Sequence, residues 1–205
     1  YGNQAVYNFN PSYSFENLPL KVLASYSTAF ITPSLYQLYG PYGNLDLTPE
    51  ENATAEFGFE SQLLDKKLTI NAVGFYREEE NTFGFFTDPI TFASNYINID
   101  GTYNAKGVET SVRYTFSERF NIGGNYTFTQ VEEQLNRLIP KHKGNVDLNY
   151  KFKRWTFGIN YQYVDQRSDA FYNSNIWATE GVNLSAYQLV NSTISYEVLP
   201  NRLQV

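Results

Sequence analysis

The chain contains no cysteine and no methionine, and its one histidine is His142. Without thiols there is neither a disulfide framework nor a thiolate metal site. His142 sits between Lys141 and Lys143, where it reads as the surface residue of a strand start. No catalytic and no metal-binding residue is assigned, and no cofactor is expected. Charge is also scarce: charged residues make up 18% of the chain, below the usual quarter. Fifteen Lys and Arg stand against 21 Asp and Glu, a net charge of −6. No basic cluster interleaves with aromatics, which argues against a nucleic-acid surface. No apolar run approaches the roughly 18 to 20 residues of a membrane-spanning helix. Nucleophile elbows, phosphate-cradling glycine loops and EF-hand ligand spacings are missing too. An enzyme is therefore not expected.

Aromatic residues are abundant, with 18 Tyr and 16 Phe in 205 residues, and they recur at every second position. In 119–131, Phe120, Ile122, Tyr126 and Phe128 share one face, and Asn121, Asn125, Thr127 and Thr129 the other. In 155–168, Trp155, Phe157, Ile159, Tyr161 and Tyr163 oppose Thr156, Asn160 and Gln162. Stretches 108–116 and 146–152 alternate in the same way. A period of two marks half-buried strands. Nine are expected, at 5–16, 20–31, 52–63, 67–80, 96–116, 119–131, 142–153, 155–168 and 186–198, with a tenth beginning near 202. Many are long enough for the roughly ten residues of a tilted transmembrane strand.

The connections alternate in length. Turns at ENLP, LLDKK, SERF, FKR and LPNR are tight, whereas 32–51, 81–95, 132–141 and 169–185 are long. Short periplasmic turns and long external loops are the pattern of an outer-membrane β-barrel. The expected fold is therefore all-β: an antiparallel transmembrane β-barrel segment with its long loops outside the cell. The charge-free run PSLYQLYGPYGN (33–44), too broken by Pro and Gly for a helix or strand interior, belongs at the external mouth.

Candidate binding residues lie in those loops. Tyr36, Tyr39 and Tyr42, Phe83, Phe85 and Phe86, and Phe171, Tyr172 and Trp177 supply aromatic surface. They either pack the loops together and form an interfacial girdle, or line a ligand vestibule with rigid amphipathic rings. Arg167 is a loop ion-pair partner or an anion contact. Tyr36, Tyr39, Tyr42, Phe86, Arg167 and Trp177 are taken as candidate substrate-binding residues. Adjacent carboxylates in REEEN (77–81) and VEEQ (131–134) read as solvated loop bases, or as divalent-cation sites bridging loops or lipopolysaccharide.

The order of these motifs resembles TonB-dependent outer-membrane transporters. In that family a strand ends in an Ala-Pro-like pair, and an aromatic loop then leads to N-P-x-L-x-P-E. Here the pair is Thr32-Pro33, and the motif runs Asn44-Leu45-Asp46-Leu47-Thr48-Pro49-Glu50, with Leu45 in place of the usual proline. Gly107-Val108-Glu109 is similar to the G-x-E strand of the family. The run Gln37 to Asn44, and Tyr161-Gln162-Tyr163 followed by Arg167, resemble its vitamin B12 (cobalamin) transporter branch.

The resemblance implies that 1–205 is a single partial domain, about nine or ten strands from the C-terminal part of a 22-stranded barrel. The N-terminal plug domain and the last strand would lie outside it. The implied function is TonB-dependent uptake of a scarce nutrient, vitamin B12 or another corrinoid, across the outer membrane of a Gram-negative bacterium. A ferric-siderophore or glycan receptor of the same class is the alternative, and a soluble β-rich carbohydrate-binding module the alternative of another class. Implied partners are the TonB complex through the absent N-terminal region, outer-membrane lipid and lipopolysaccharide, a small-molecule ligand and a surface lipoprotein.

Overall fold

The computed structural model describes residues 3–132, 138–199 and 203–205. Eleven strands form one antiparallel sheet. They are β1 (Asn8–Phe9), β2 (Ser12–Ser14), β3 (Leu20–Ile31), β4 (Glu50–Leu63), β5 (Leu68–Glu80), β8 (Thr102–Ser117), β9 (Phe120–Val131), β10 (His142–Phe152), β11 (Trp155–Val164), β14 (Tyr187–Leu199) and β15 (Leu203–Gln204). The order is β1-β3-β4-β5-β8-β9-β10-β11-β14-β15, with β2 also on β3. From β3 onward each strand of this sheet pairs with the one before it and the one after it.

The turns at one end are tight for local reasons. Lys67 N donates to Leu64 O at 3.0 Å, and Leu64, Asp65 and Lys66 all have positive φ, which turns the chain within the four residues between the paired Leu63 and Leu68. Lys153 and Arg154 alone bridge the pair Phe152↔Trp155, a two-residue hairpin with Lys153 at φ 53. The opposite end carries everything long.

Four expectations need correction. The first strand breaks at Asn10–Pro11 into β1 and β2, because proline has no N–H for the ladder. The strand expected at 96–116 is cut at Ile99–Gly101, where Gly101 takes φ +119. Its first part belongs to a separate hairpin of β6 (Phe83–Thr87) and β7 (Ser94–Asn98). The strand expected at 155–168 ends at Val164, and β12 (Arg167–Asn173) pairs with β13 (Ala178–Leu184) in a third sheet. Finally, PSLYQLYGPYGN holds a short helix, α1 (Leu35–Tyr39). Ser34 caps it, with Gln37 N donating to Ser34 Oγ and Ser34 N donating to Gln37 Oε1, a reciprocal capping box. Pro33 and the pair Gly40–Pro41 bracket this turn of helix rather than interrupt it.

The sheet has almost no core. Among the described residues the buried large apolar side chains are Leu47, Tyr103 and Val164. Large apolar side chains instead stand exposed in the strands, with Phe57 at 68%, Val190 at 69% and Ile194 at 65%. The register sorts them onto one face. Leu68↔Tyr114↔Ile122↔Leu148↔Ile159 forms one cross-strand row, and Ile70↔Val112↔Gly124↔Val146↔Tyr161↔Val190 the next.

Toward the tight turns this face carries a run of touching rings: Tyr114–Phe116, Phe116–Phe120, Phe120–Tyr150, Tyr150–Phe157, Phe157–Trp155 and Trp155–Tyr196, with centroids 4.2 to 6.5 Å apart. Amphipathic rings at that level form the interfacial belt of a membrane barrel. The other face is polar: Asn71↔Ser111↔Asn125↔Asn145↔Gln162 share a row. Asn160 donates to Asp147 Oδ1 at 2.7 Å, and Asn71 to Ser111 Oγ at 3.1 Å.

Gly107 is explained by its neighbour. Its paired residue Phe75 swings a ring over it, and a Cβ there would lie 2.6 Å from Phe75 Cζ and collide with the carbonyl oxygen of Phe128. A glycine under a cross-strand ring relieves crowding while the ring covers the bare backbone.

Candidate functional site

The long connections gather at the loop end. Residues 32–49, containing α1, pack on the β6–β7 hairpin through four rings. Tyr36 meets Tyr96 at 6.3 Å, Tyr42 meets Phe85 at 5.4 Å and Phe85 meets Tyr96 at 5.3 Å, all edge-on. Edge-to-face contact is the favoured arrangement for such quadrupoles.

Hydrogen bonds fix the same interface. Tyr96 N donates to Tyr42 O at 3.0 Å, and Asn44 Nδ2 donates to Tyr96 O at 2.9 Å. Asn98 is the centre of a latch. Its Oδ1 accepts from Thr48 N at 2.8 Å, and its Nδ2 donates to Thr48 O at 2.9 Å and to Asn81 O at 2.6 Å. Phe83 N donates to Glu50 Oε1. Within the same stretch Leu47 is 2% exposed and Pro49 is buried. The Asn44–Glu50 motif therefore works as a fastening between loop and hairpin, and it holds the tyrosines of 33–44 in place.

The β6–β7 tip is built by Asp88. Its Oδ1 accepts from Ile90 N and Thr91 N, both at 2.8 Å. The bond from Thr91 first, and then that from Ile90, holds the carboxyl below its ordinary pKa. Ile90 and Phe92 project from this tip, 85% and 78% exposed.

The six predicted binding residues do not form one group. Tyr36 and Tyr42 belong to the ring cluster. Tyr39 lies on α1, mostly exposed, with no ring contact to it among the described residues. Phe86 pairs with Asn95, one position out of step with Phe85, and so faces away. Arg167 and Trp177 lie in the β12–β13 hairpin. The Arg167 guanidinium stacks 5.3 Å from the Tyr187 ring centroid, a cation–π contact, and has no ion pair among the described residues. Trp177 sits at the hairpin tip with φ 54 and 80% exposure. Leu138 N donates to Ser168 O at 2.7 Å, tying the preceding loop to this hairpin.

Tyr96 and Asn98 belong to the cluster but fall inside the strand expected at 96–116. The signal for them was Asp100-Gly101, a turn dipeptide that separates 94–98 from β8.

The carboxylate runs separate. Glu79 pairs with Arg77, Glu80 accepts from Thr102 Oγ1 at 3.2 Å, and Glu78 accepts from Tyr76 OH at 3.0 Å. Glu132 accepts from Asn104 Nδ2 at 2.8 Å, while Glu133 and Gln134 lie outside the described residues. No group of three or more metal-ligating side chains occurs among the described residues. His142 Nδ1 and the Tyr126 hydroxyl share a hydrogen bond of 2.7 Å, and the imidazole packs on Tyr126 and Phe128. It closes an aromatic group on the apolar face.

Residues 2–205 match the family described as TonB dependent receptor-like, beta-barrel. A vitamin B12 transporter, BtuB, of Vibrio cholerae serotype O1 is 31% identical over 204 residues, covering 97% of this chain. The chain spans 31% of the length of that relative. Solved structures agree in fold. The ferric enterobactin receptor PfeA of Pseudomonas aeruginosa aligns over 96% of this chain and 33% of its own, with a TM-score of 0.77 and 15% identity. The pyoverdine receptor FpvA of Pseudomonas aeruginosa PAO1 aligns over 93% and 29%, with a TM-score of 0.72 and 20% identity.

Proposed function

Because the chain belongs to the TonB-dependent receptor family, we propose that the full protein takes up a scarce small molecule by energy-coupled transport, with a corrinoid as cargo. Barrels of this family lie in the outer membrane of Gram-negative bacteria, and the apolar face described above is a stretch of that wall. The continuous outward apolar surface and the family match set aside the soluble carbohydrate-binding module.

The observation that carries the cargo assignment is the 31% identity to a vitamin B12 transporter across 97% of the chain. The two siderophore receptors above are 20% and 15% identical, and their likeness speaks to fold. In this reading 1–205 is part of the C-terminal barrel. The plug and the segment that meets TonB belong to the rest of the protein, and the chain has no enzymatic role.

The loop cluster supplies one wall of the external vestibule. Tyr36 and Tyr42, held by Phe85 and Tyr96, present rigid rings whose ordering is complete before ligand arrives. That lowers the entropy cost of binding. Tyr39 and Trp177 stand exposed at the mouth, and Arg167 offers a cation there.

Equilibrium binding of cyanocobalamin to the detergent-purified full-length protein tests the proposal, with ferric siderophores as competitors. Saturable binding that ferric siderophores leave untouched supports a corrinoid. A folded barrel that binds iron chelates and ignores cyanocobalamin moves the cargo to the siderophore class.

A further inference from the structure

The polar face of the sheet holds a depression on the tight-turn side of its middle. It measures about 610 Å³ and spans β5, β8, β9 and β10. Its floor is Gly123, where a Cβ would meet only the Val112 carbonyl oxygen, at 3.7 Å. Crowding therefore does not demand a glycine there. Side-chain amides surround this floor: Asn71, Asn121, Asn125, Asn145 and Asn149 all line the depression.

The register sets a cation and an anion across the floor. Arg113, Gly123 and Asp147 are successive partners in one cross-strand row, which puts Arg113 and Asp147 roughly 10 Å apart at the backbone. Arg113 is exposed and has no ion pair among the described residues. Asp147 is steadied by Asn160, which donates to its Oδ1 at 2.7 Å, and it too has no ion pair among them. Beside this row the Asn145 Oδ1 is buried and has no hydrogen-bond partner among the described residues. A donor brought to it relieves the cost of an unmet acceptor.

A guanidinium, a bare backbone floor and a carboxylate in one line suit a group that accepts at one end and donates at the other. A primary carboxamide does both. Its carbonyl oxygen takes N–H bonds from Arg113, and its NH2 donates to Asp147. An anionic iron chelate gains at Arg113 and is repelled at Asp147. Corrinoids carry acetamide and propionamide arms around the whole ring. We infer that the depression is a transit subsite for the carboxamide arms of a corrinoid on its way from the external mouth to the tight-turn end. It is distinct from the vestibule, because Asn71 lies eight positions from Glu79 along β5, roughly 27 Å. The inference rests on the corrinoid reading above and deepens it.

The test compares cargoes in cells that produce the full-length protein. One is radiolabelled cyanocobalamin, and the others are its monocarboxylate derivatives, each with one propionamide hydrolysed to the acid. Equilibrium binding at the cell surface and the TonB-dependent uptake rate are measured for each. In wild type the slowest monocarboxylate should enter roughly tenfold more slowly than cyanocobalamin at equal surface occupancy, because the acid loses its donor and meets Asp147. D147N should bring the two rates within about twofold. E56Q removes a carboxylate of the same face, paired with Ser25 and Phe75, and should leave the gap in place. R113Q and G123L should slow cyanocobalamin uptake about fivefold with surface binding unchanged, and that unchanged binding verifies that the barrels are folded.

Equal rates for amide and acids in wild type, or a gap that D147N leaves in full, overturn the subsite while cyanocobalamin uptake upholds the cargo. Closure of the gap by E56Q as well as D147N marks a general effect of charge on this face and also overturns it. Slower uptake in R113Q and G123L with an unmoved gap assigns the depression to the plug, against the inference. A full-length protein that binds no cyanocobalamin removes the cargo reading, and the subsite with it.

Discussion

Two glycines on adjacent strands should respond to the same substitution in opposite directions. Gly107 of β8 lies under the Phe75 ring, and an added methyl would stand 2.6 and 2.8 Å from ring carbons and press into the Phe128 carbonyl oxygen. The ring must retreat by most of an ångström, and the carbonyl belongs to a paired strand that cannot move alone. Overpacking of this kind costs about 2–3 kcal/mol. Gly74 of β5, paired with Val108, has only distant carbonyl oxygens near its missing side chain, at 3.8 and 3.9 Å. Alanine there reduces the backbone freedom of the unfolded chain and should stabilise by about 0.5–1 kcal/mol. G107A and G74A should therefore differ by about 3 kcal/mol, more than a hundredfold in the folding equilibrium. Urea unfolding of the full-length protein in detergent, followed by tryptophan fluorescence, measures the gap. Adding F75A to G107A should restore part of the loss, because the ring clash goes and the carbonyl clash stays. Equal stability of G107A and G74A would refute the packing argument.

Removing the Asn98 latch with N98A should leave the barrel assembled and cost about 1–3 kcal/mol locally, seen as faster amide exchange across 32–49. Protection of those amides at the wild-type level would show that the rings alone hold the loop. Y42A should weaken ligand binding about tenfold with the unfolding temperature unchanged, whereas a fall in stability without loss of affinity would make the ring structural. The β6–β7 tip should be sensitive to acid. The Asp88 pKa is lowered in the folded state, so its contribution is present above the ordinary carboxyl pKa and is lost as pH falls through the lowered value. Exchange at the Ile90 and Thr91 amides should quicken over that window, and D88A should abolish the pH dependence.

The wall was readable in the sequence because its physics is periodic. Lipid on one side and polar contacts on the other impose strict alternation, and residues such as Phe120 to Phe128 carry it without interruption. The same regularity misled at the rim. The strand expected at 96–116 keeps its alternation from Val108 to Phe116, yet its first part pairs with β6 and hydrogen bonding passes from β7 to β8 at Gly101. A run of alternating residues says which side chains share a face but not which partner the strand takes. Three of the four rings of the cluster were legible. Tyr36, Tyr42 and Phe85 stood out as aromatics of the long loops, whereas Tyr96 resembled an ordinary strand tyrosine. Their contact depends on a loop folding back across a separation of some 50 residues, 50 for Thr48–Asn98 and 52 for Asn44–Tyr96, which no local pattern encodes. Helix α1 was missed because Pro and Gly were counted as interruptions when they are its boundaries.

The consecutive pairing of the main strands bears on how the wall is assembled. Each ladder joins chain segments linked through one connection, so the entropy of closure is small and grows slowly with loop length. Hairpins can be added to a growing edge one after another, with no strand waiting for a distant partner. The Asn44–Tyr96 and Thr48–Asn98 bonds break that rule. They need β4, β5 and the β6–β7 hairpin all in position, so they form after the strands beneath them have zipped. The mouth of the barrel is thus the last part of this region to mature, and the aromatic cluster reports that the register below it is correct.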